Sequence, residues 1–335
     1  MTYIEEYYKF LVDNPDRACQ KVLATYKKLV DDIKKPKEVS FFNEISEEDE
    51  VHTFVFNEKR GNRPIEFIER FCKHSKGKWA GQPVVLELWQ KALIQAAFGF
   101  VDKDTGIRKY RKVLLFVARK NGKSTLDSGL SLYMLTKDNE NGAEVYSVAT
   151  KRDQAKIVWD EATKMIKKSP ALCSRTRCLV NAIHYDATES TMKALASDSN
   201  SLDGLNTHFG VADEVHAWRD KNLLDVIYDS MSAREQPMLF ETSTMGTVRE
   251  SVFDNEYDYA AEIIKGYEGS GPAKDETLLP VIYELDKPDE WQDEKKWYKA
   301  NPRTWNYKEY QRLKRQGSKG KEQLKRAYKP FMQGL

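Results

Sequence analysis

The strongest constraint on this chain is the apolar run Val113-Leu114-Leu115-Phe116-Val117, which leads without a break into Ala118-Arg119-Lys120-Asn121-Gly122-Lys123-Ser124-Thr125. An unbroken apolar run of this kind reads as a strand buried on both faces, as in a parallel sheet covered by helices. A helix is predicted directly afterwards, over 126–135. At such a strand-to-helix turn the backbone N–H groups surround an anion, a lysine neutralises phosphate charge, and the hydroxyl after it suits a magnesium ion. Gly122-Lys123-Ser124 is the second half of the pattern G-x-x-x-x-G-K-[ST], with Val117 standing where the first glycine is usual.

The text around this turn alternates between strand and helix. Strands are predicted at 143–149, 191–196, 209–212, 238–243 and 278–285, and helices at 153–168 and 250–265. That order argues for an α/β chain with a mostly parallel sheet and helices on both faces. Residues 1–40 read as helix broken at Asn14-Pro15-Asp16, residues 86–100 as an amphipathic helix, and residues 305–332 as one or two basic helices. Residues 57–81 alternate charged and aromatic side chains and receive no element. The expected division is an N-terminal helical segment over 1–60, a core over 61–250, and a lid or linker region over 251–335.

Composition excludes some classes. With 40% hydrophobic and 32% charged residues, the chain has the apolar material of a globular protein. No apolar run approaches the roughly 20 residues that span a bilayer, and the first residues lack a basic and apolar leader, so a cytoplasmic location and no membrane partner are expected. The four cysteines are scattered and are expected as free thiols; Cys173 and Cys178 have no second pair or His doublet to complete a zinc site. A net charge of +2 is low for a body that works through phosphate contacts alone, although basic residues cluster at 108–112 and 312–329.

A second element of chemistry follows the strand at 209–212. Asp213 and Glu214 end that strand, where one acid reaches a magnesium shell and the other orients and deprotonates a water. A third strand ends in Ser243, Thr244 and Gly246, hydroxyls and a glycine suited to sensing a γ-phosphate. Arg119, within the loop, is the best-placed cation for the transition state, with Arg152 and Arg234 as further candidates. Trp89 and Gln90 are candidates to stack on and hydrogen-bond an adenine, although a core tryptophan on an amphipathic helix is the plainer reading. His208 and His216 read as local packing or hydrogen-bonding residues.

Taken together, the loop 118–125, the stretch Ser201-Leu202-Asp203-Gly204-Leu205-Asn206 with Asp213-Glu214-Val215-His216-Ala217-Trp218, the tip Ser243-Thr244-Met245-Gly246, and Trp297-Tyr298-Lys299-Ala300-Asn301-Pro302 resemble the ATPase portion of the terminase large subunit of tailed bacteriophages. In that family the first loop glycine is characteristically missing and an arginine stands nearby, which matches Val117 and Arg119. The resemblance implies a P-loop NTPase of the additional-strand, catalytic-glutamate type that uses ATP and Mg to move double-stranded viral DNA into a procapsid in the cytoplasm of an infected bacterium. It further implies that Arg119, Lys120, Asn121, Gly122, Lys123, Ser124 and Thr125 bind the nucleotide, with Gln90 and Trp89 at the adenine. Ser124 and Asp213 would hold Mg, Glu214 would activate water, Arg119 would be the cis arginine, Ser243, Thr244 and Gly246 would couple, and either Arg152 or Arg234 would act in trans. Implied partners are the portal protein, the procapsid, the small terminase subunit and further copies of the chain in a ring, with a monomer expected in isolation. The family's nuclease domain needs a strand-borne acidic series that is not seen after Leu285, so no DNA cleavage is expected from this chain. Two other readings stay open at this level: a helicase-type motor, and a scaffold that binds nucleotide without turning it over.

Overall fold

The computed structural model describes residues 1–43, 48–197, 204–218, 221–244, 251–267, 269 and 275–303. Gly246 and the basic stretch 305–332 therefore lie outside the described residues. In chain order the elements are α1 (Tyr3–Asp13), α2 (Gln20–Lys34), β1 (Lys37–Asn43), β2 (Glu48–Phe56), α3 (Glu58–Phe71), α4 (Leu88–Gly99), β3 (Phe100–Asp102), β4 (Lys112–Phe116), α5 (Lys123–Thr136), β5 (Glu144–Ala149), α6 (Arg152–Lys168) and α7 (Pro170–Cys173). There follow β6 (Thr176–Cys178), β7 (Ile183–Tyr185), β8 (Ser190–Ala196), β9 (Thr207–Asp213), α8 (Asn222–Asp229), β10 (Met238–Ser243), α9 (Val252–Tyr267) and β11 (Leu278–Ile282).

Among the described residues, eight strands form the main sheet in the order β11-β4-β10-β9-β5-β8-β7-β6. From β11 to β8 every pairing is parallel, and only the short β6–β7–β8 edge is antiparallel. Strand β10 is inserted between β4 and β9, which is the additional strand expected for this class. All the parallel strands therefore deliver their C-terminal loops to one edge, the place where open α/β sheets bind ligands.

β4 shows why the sheet is covered on both sides. Val113 and Leu115 point into a cluster with Leu126 and Leu130 of α5, while Leu114 and Phe116 pack with Phe253, Ile263 and Ile264 of α9. Burying each such side chain contributes about 1.5–3 kcal/mol relative to leaving it in water. A third cluster joins Tyr146, Val148 and Ala212 to Leu223 and Ile227 of α8.

The predicted strands and helices of the core all form, with ends shifted by a few residues. The expected domain limits correspond to no break in the fold. Ile4, Tyr7, Tyr26 and Leu29 of α1 and α2 share one core cluster with Val113 and Leu115, and β11, placed by sequence in the lid region, pairs with β4 in the main sheet. The N-terminal segment is also not wholly helical: β1, β2 and β3 make a separate antiparallel sheet. Residues 58–71 form α3, capped by Asn57, whose Oδ1 accepts from the Arg60 N–H at 3.0 Å. Among the described residues, no helix is long and apolar enough to cross a membrane.

Candidate active site

The loop after β4 is clasped by its two neighbouring strands. Val117 N–H donates to the Ser243 carbonyl at 3.1 Å on one side, and Tyr283 N–H donates to the Phe116 carbonyl at 2.8 Å on the other. Two residues then take left-handed backbone angles, Lys120 with φ 66° and Gly122 with φ 84°. Gly122 needs no Cβ to do so, and it caps α5 so that the helix N-terminus faces the loop. The Asn121 side chain ties the turn together, with Nδ2 donating to the Ala118 carbonyl at 2.9 Å.

Lys123 is nearly buried at the start of α5, and its Nζ lies 3.4 Å from Oε1 of Glu214. Glu214 stands just past the tip of β9 with φ 54°, an uncommon angle for a residue with a Cβ, and such strain collects at functional sites. Its Oε2 lies 3.0 Å from His216 Nδ1 and accepts from Thr244 Oγ1 at 3.2 Å. Burial pushes the Glu214 carboxyl up, but the His216 hydrogen bond and the Lys123 charge outweigh that and hold it at about 2.

Asp213 is buried, and its Oδ1 accepts from the Glu214 N–H at 2.9 Å and from Thr242 Oγ1 at 2.9 Å. Burial first, then the neighbouring Glu214 charge, pushes its carboxyl up from the ordinary value. Asp127 adds a third carboxyl group four positions after Lys123: it is fully buried, Oδ2 lies 3.1 Å from Thr242 Oγ1, and Oδ1 has no hydrogen-bond partner among the described residues. Burial pushes the Asp127 carboxyl well above its ordinary range, so the ionised acid at Lys123 is Glu214, and Asp213 beside it is an oxygen donor of the kind a divalent cation takes. Ser124, half-buried in the first turn of α5, presents its hydroxyl at the same helix end.

The family model described as "Terminase large subunit, ATPase domain" matches residues 88–262, just over half of the chain. This chain belongs to that family. Among curated relatives, the terminase large subunit of Enterobacteria phage HK97 is 28% identical over 265 residues, covering 78% of this chain and 49% of the relative. The terminase large subunit of Lactococcus phage p2 is 18% identical over 255 residues, covering 74% of this chain and 46% of that protein. The crystal structure of the HK97 bacteriophage large terminase superposes with a TM-score of 0.65 at 25% identity, over 82% of this chain and 54% of that one. The chain spans about half the length of the curated relatives it matches.

Within this terminase ATPase domain the other expected site residues fall into two groups. Arg119 and Lys120 are exposed on the loop, and the Arg119 guanidinium makes no ion pair among the described residues. Thr125 is half-buried on α5. The side-chain amide of Gln90 lies against Gly122, 3.4 Å from where a Cβ would stand, while its Oε1 accepts from the Glu87 N–H at 3.0 Å. Arg152 is exposed at the start of α6, just after the C-terminal end of β5 and so on the same sheet edge as the loop.

Two candidates are placed elsewhere. Trp89 is 2% exposed and packs edge-on against Tyr283 at 5.6 Å, so its ring is a core element with no face open to stack on a base. Arg234 sits at the opposite edge, beside the N-terminal ends of β5 and β9. Its guanidinium donates to Glu140 at 2.7 Å, to the Gly142 carbonyl at 2.7 Å and to the Asn206 carbonyl at 3.2 Å. Its side chain is 10% exposed, so it is a strap between loops with no free donor face for a neighbour. His208 is a packing residue as expected, fully buried with Nε2 2.8 Å from Asp138. His216 does more than expected, since it touches Glu214.

Residues 300–303, in the region expected as a lid or linker, form a strap back to the loop. Asn121 Nδ2 donates to Asn301 Oδ1 at 3.0 Å, Arg303 N–H donates to Asn121 Oδ1 at 3.2 Å, and Arg303 Nη1 donates to the Lys120 carbonyl at 3.1 Å. The strap lies beyond the span matched by the family model.

Proposed function

We propose that this chain hydrolyses ATP with Mg and uses the energy to drive double-stranded viral DNA into a procapsid. The observation that supports this best is the meeting of Lys123, Asp213, Glu214 and Thr244 at one sheet edge, from a helix start and two strand tips. A binding-only scaffold has no use for an ionised carboxylate held beside the phosphate lysine. Backbone N–H groups of residues 119–125 and the Lys123 ammonium bind the phosphates, and Gln90 lies on the side where the base enters. Ser124 and Asp213 would hold Mg, which supplies positive charge to the phosphates when bound. Glu214 orients a water and takes its proton.

Arg119 supplies a cis cation to the transferring phosphoryl group. Arg152 supplies the trans cation from a neighbouring copy, because it is exposed on the correct edge while Arg234 is tied down. The working assembly is a homo-oligomeric ring on the portal, aided by the small terminase subunit, and the chain is a monomer in isolation. Contacts to DNA are to phosphates, since a packaging motor must pass every sequence, and binding therefore weakens steeply with salt. No nuclease activity belongs to this chain.

Phosphate release by wild type and Glu214→Gln, with and without double-stranded DNA, tests the reading. Turnover in wild type, lost in the variant while ATP still binds, supports it. Equal phosphate release by both overturns the role of Glu214, and metal-dependent plasmid cutting by the purified chain overturns the last statement.

A further inference from the structure

His216 meets both the acid that activates water and the tip of the inserted strand. Its backbone N–H donates to Ser243 Oγ at 3.0 Å, and Ser243 Oγ in turn donates to the Thr244 carbonyl at 2.9 Å. One ring atom, Nδ1, lies 3.0 Å from Glu214 Oε2, 3.2 Å from Ser243 Oγ and 3.4 Å from Thr244 Oγ1. Because Ser243 already uses its hydrogen on the Thr244 carbonyl, the consistent arrangement has Nδ1–H directed at Glu214.

Glu214 Oε2 thus receives two donors, from His216 and Thr244, while Oε1 faces Lys123. A carboxylate engaged on every side has its direction fixed, which matters because it starts from the uncommon backbone angle of φ 54°. We infer that His216 is a positioning residue: through Nδ1 it sets the orientation of Glu214 and locks it to the end of β10. Nucleotide that draws Lys123 and Thr244 towards its phosphates leaves His216 as the donor still holding Glu214 in register with the strand tip. The same histidine carries any shift of residues 243–244 to the base. Nothing else in the 3₁₀ turn Val215–Ala217 performs this task, since Val215 is buried in the α8 cluster.

This inference rests on the proposed ATPase reading, and the experiment separates the two. Steady-state ATP turnover and nucleotide affinity are measured for the whole chain as wild type, Lys123→Ala, His216→Ala, His216→Asn and His216→Gln. Asparagine places its amide nitrogen where Nδ1 stands, and glutamine places it where Nε2 stands, so the two test one atom at similar polarity. The expected result is a kcat lowered about 100-fold in His216→Ala and His216→Gln, the scale of a misplaced catalytic group. ATP affinity stays within about threefold, and His216→Asn recovers most of the rate. Wild-type turnover that Lys123→Ala does not abolish defeats the ATPase reading itself. If that turnover is Lys123-dependent but His216→Ala matches wild type, or if Asn and Gln variants lose rate equally, the positioning role of Nδ1 is wrong.

Discussion

Asn121 in the phosphate loop donates through Nδ2 to Oδ1 of Asn301 at 3.0 Å, across a separation of 180 residues. Asn121 is 2% exposed, and the same side chain closes the turn onto the Ala118 carbonyl, so the strap and the loop share one anchor. Removing one partner of a buried hydrogen bond costs about 1–3 kcal/mol. Asn301→Ala is therefore expected to raise the KM for ATP by about tenfold or more, with a smaller change in kcat. Steady-state kinetics check this, and an unchanged KM contradicts the shared anchor.

Arg152 is open to a neighbouring copy and Arg234 is not. Arg152→Ala is expected to lower kcat by roughly 1000-fold, the scale of a lost arginine finger. Mixing Arg152→Ala with Glu214→Gln, each nearly inactive alone, is expected to restore turnover, because one class of mixed interface joins an intact site to an intact arginine. Arg234→Ala instead is expected to lower the melting temperature, as it strips the hydrogen bonds from Glu140, Gly142 and Asn206. Failure of the mixture to exceed its components contradicts a trans role for Arg152.

Leu114 is 0% exposed and packs onto α9, whereas Val85 is 74% exposed. Leu114→Ala is expected to cost about 2–5 kcal/mol of unfolding free energy, and Val85→Ala less than about 0.5 kcal/mol. Urea unfolding of both variants reads the difference, and a comparable cost for the two contradicts burial of β4 on both faces.

The Glu214 carboxyl is held at about 2 against an ordinary value of 4.5. A depressed acid contributes stability that is fully present above its unfolded value and is lost as pH falls through its folded value. The melting-temperature difference between wild type and Glu214→Gln is therefore expected not to narrow until pH drops below 4.5, and then to close progressively down to about 2. Asp213, Asp127, Lys123 and His216 face this group and are present in both proteins. A difference that already narrows between about pH 7 and pH 5, where an unperturbed carboxylate stays ionised, contradicts the assignment.

Much of the site was readable because its chemistry is local in sequence. Gly122-Lys123-Ser124 needs only its own backbone turn, and the apolar strand before it announces burial. Asp213-Glu214 likewise follows directly from a strand end. The Asn121–Asn301 anchor was not readable, since hydrogen bonds across so long a separation leave no spacing to detect. Trp89 and Arg234 show the complementary limit: both have the right chemistry, and only tertiary packing reveals that one ring is buried and one guanidinium is consumed. His216 reads from sequence as a local packing or hydrogen-bonding residue, but its contact with Glu214 is not legible there, because it depends on a left-handed backbone angle that no side-chain pattern signals. Its place two residues after the acid, beside a strand ending in Ser243, was the available hint. The β1–β2 hairpin and the three-residue strands β6 and β7 are too short or too mixed in polarity to show a period.

A hydrolytic site completed between copies of the chain is tested by ATP turnover per subunit as protein concentration is raised over about two decades, for wild type, Lys123→Ala and Glu214→Gln, with and without double-stranded DNA. Wild-type turnover per subunit is expected to rise with concentration as exposed Arg152 meets a neighbouring site, with none from either variant. Turnover per subunit that stays flat with concentration, or that survives the loss of Glu214, contradicts it.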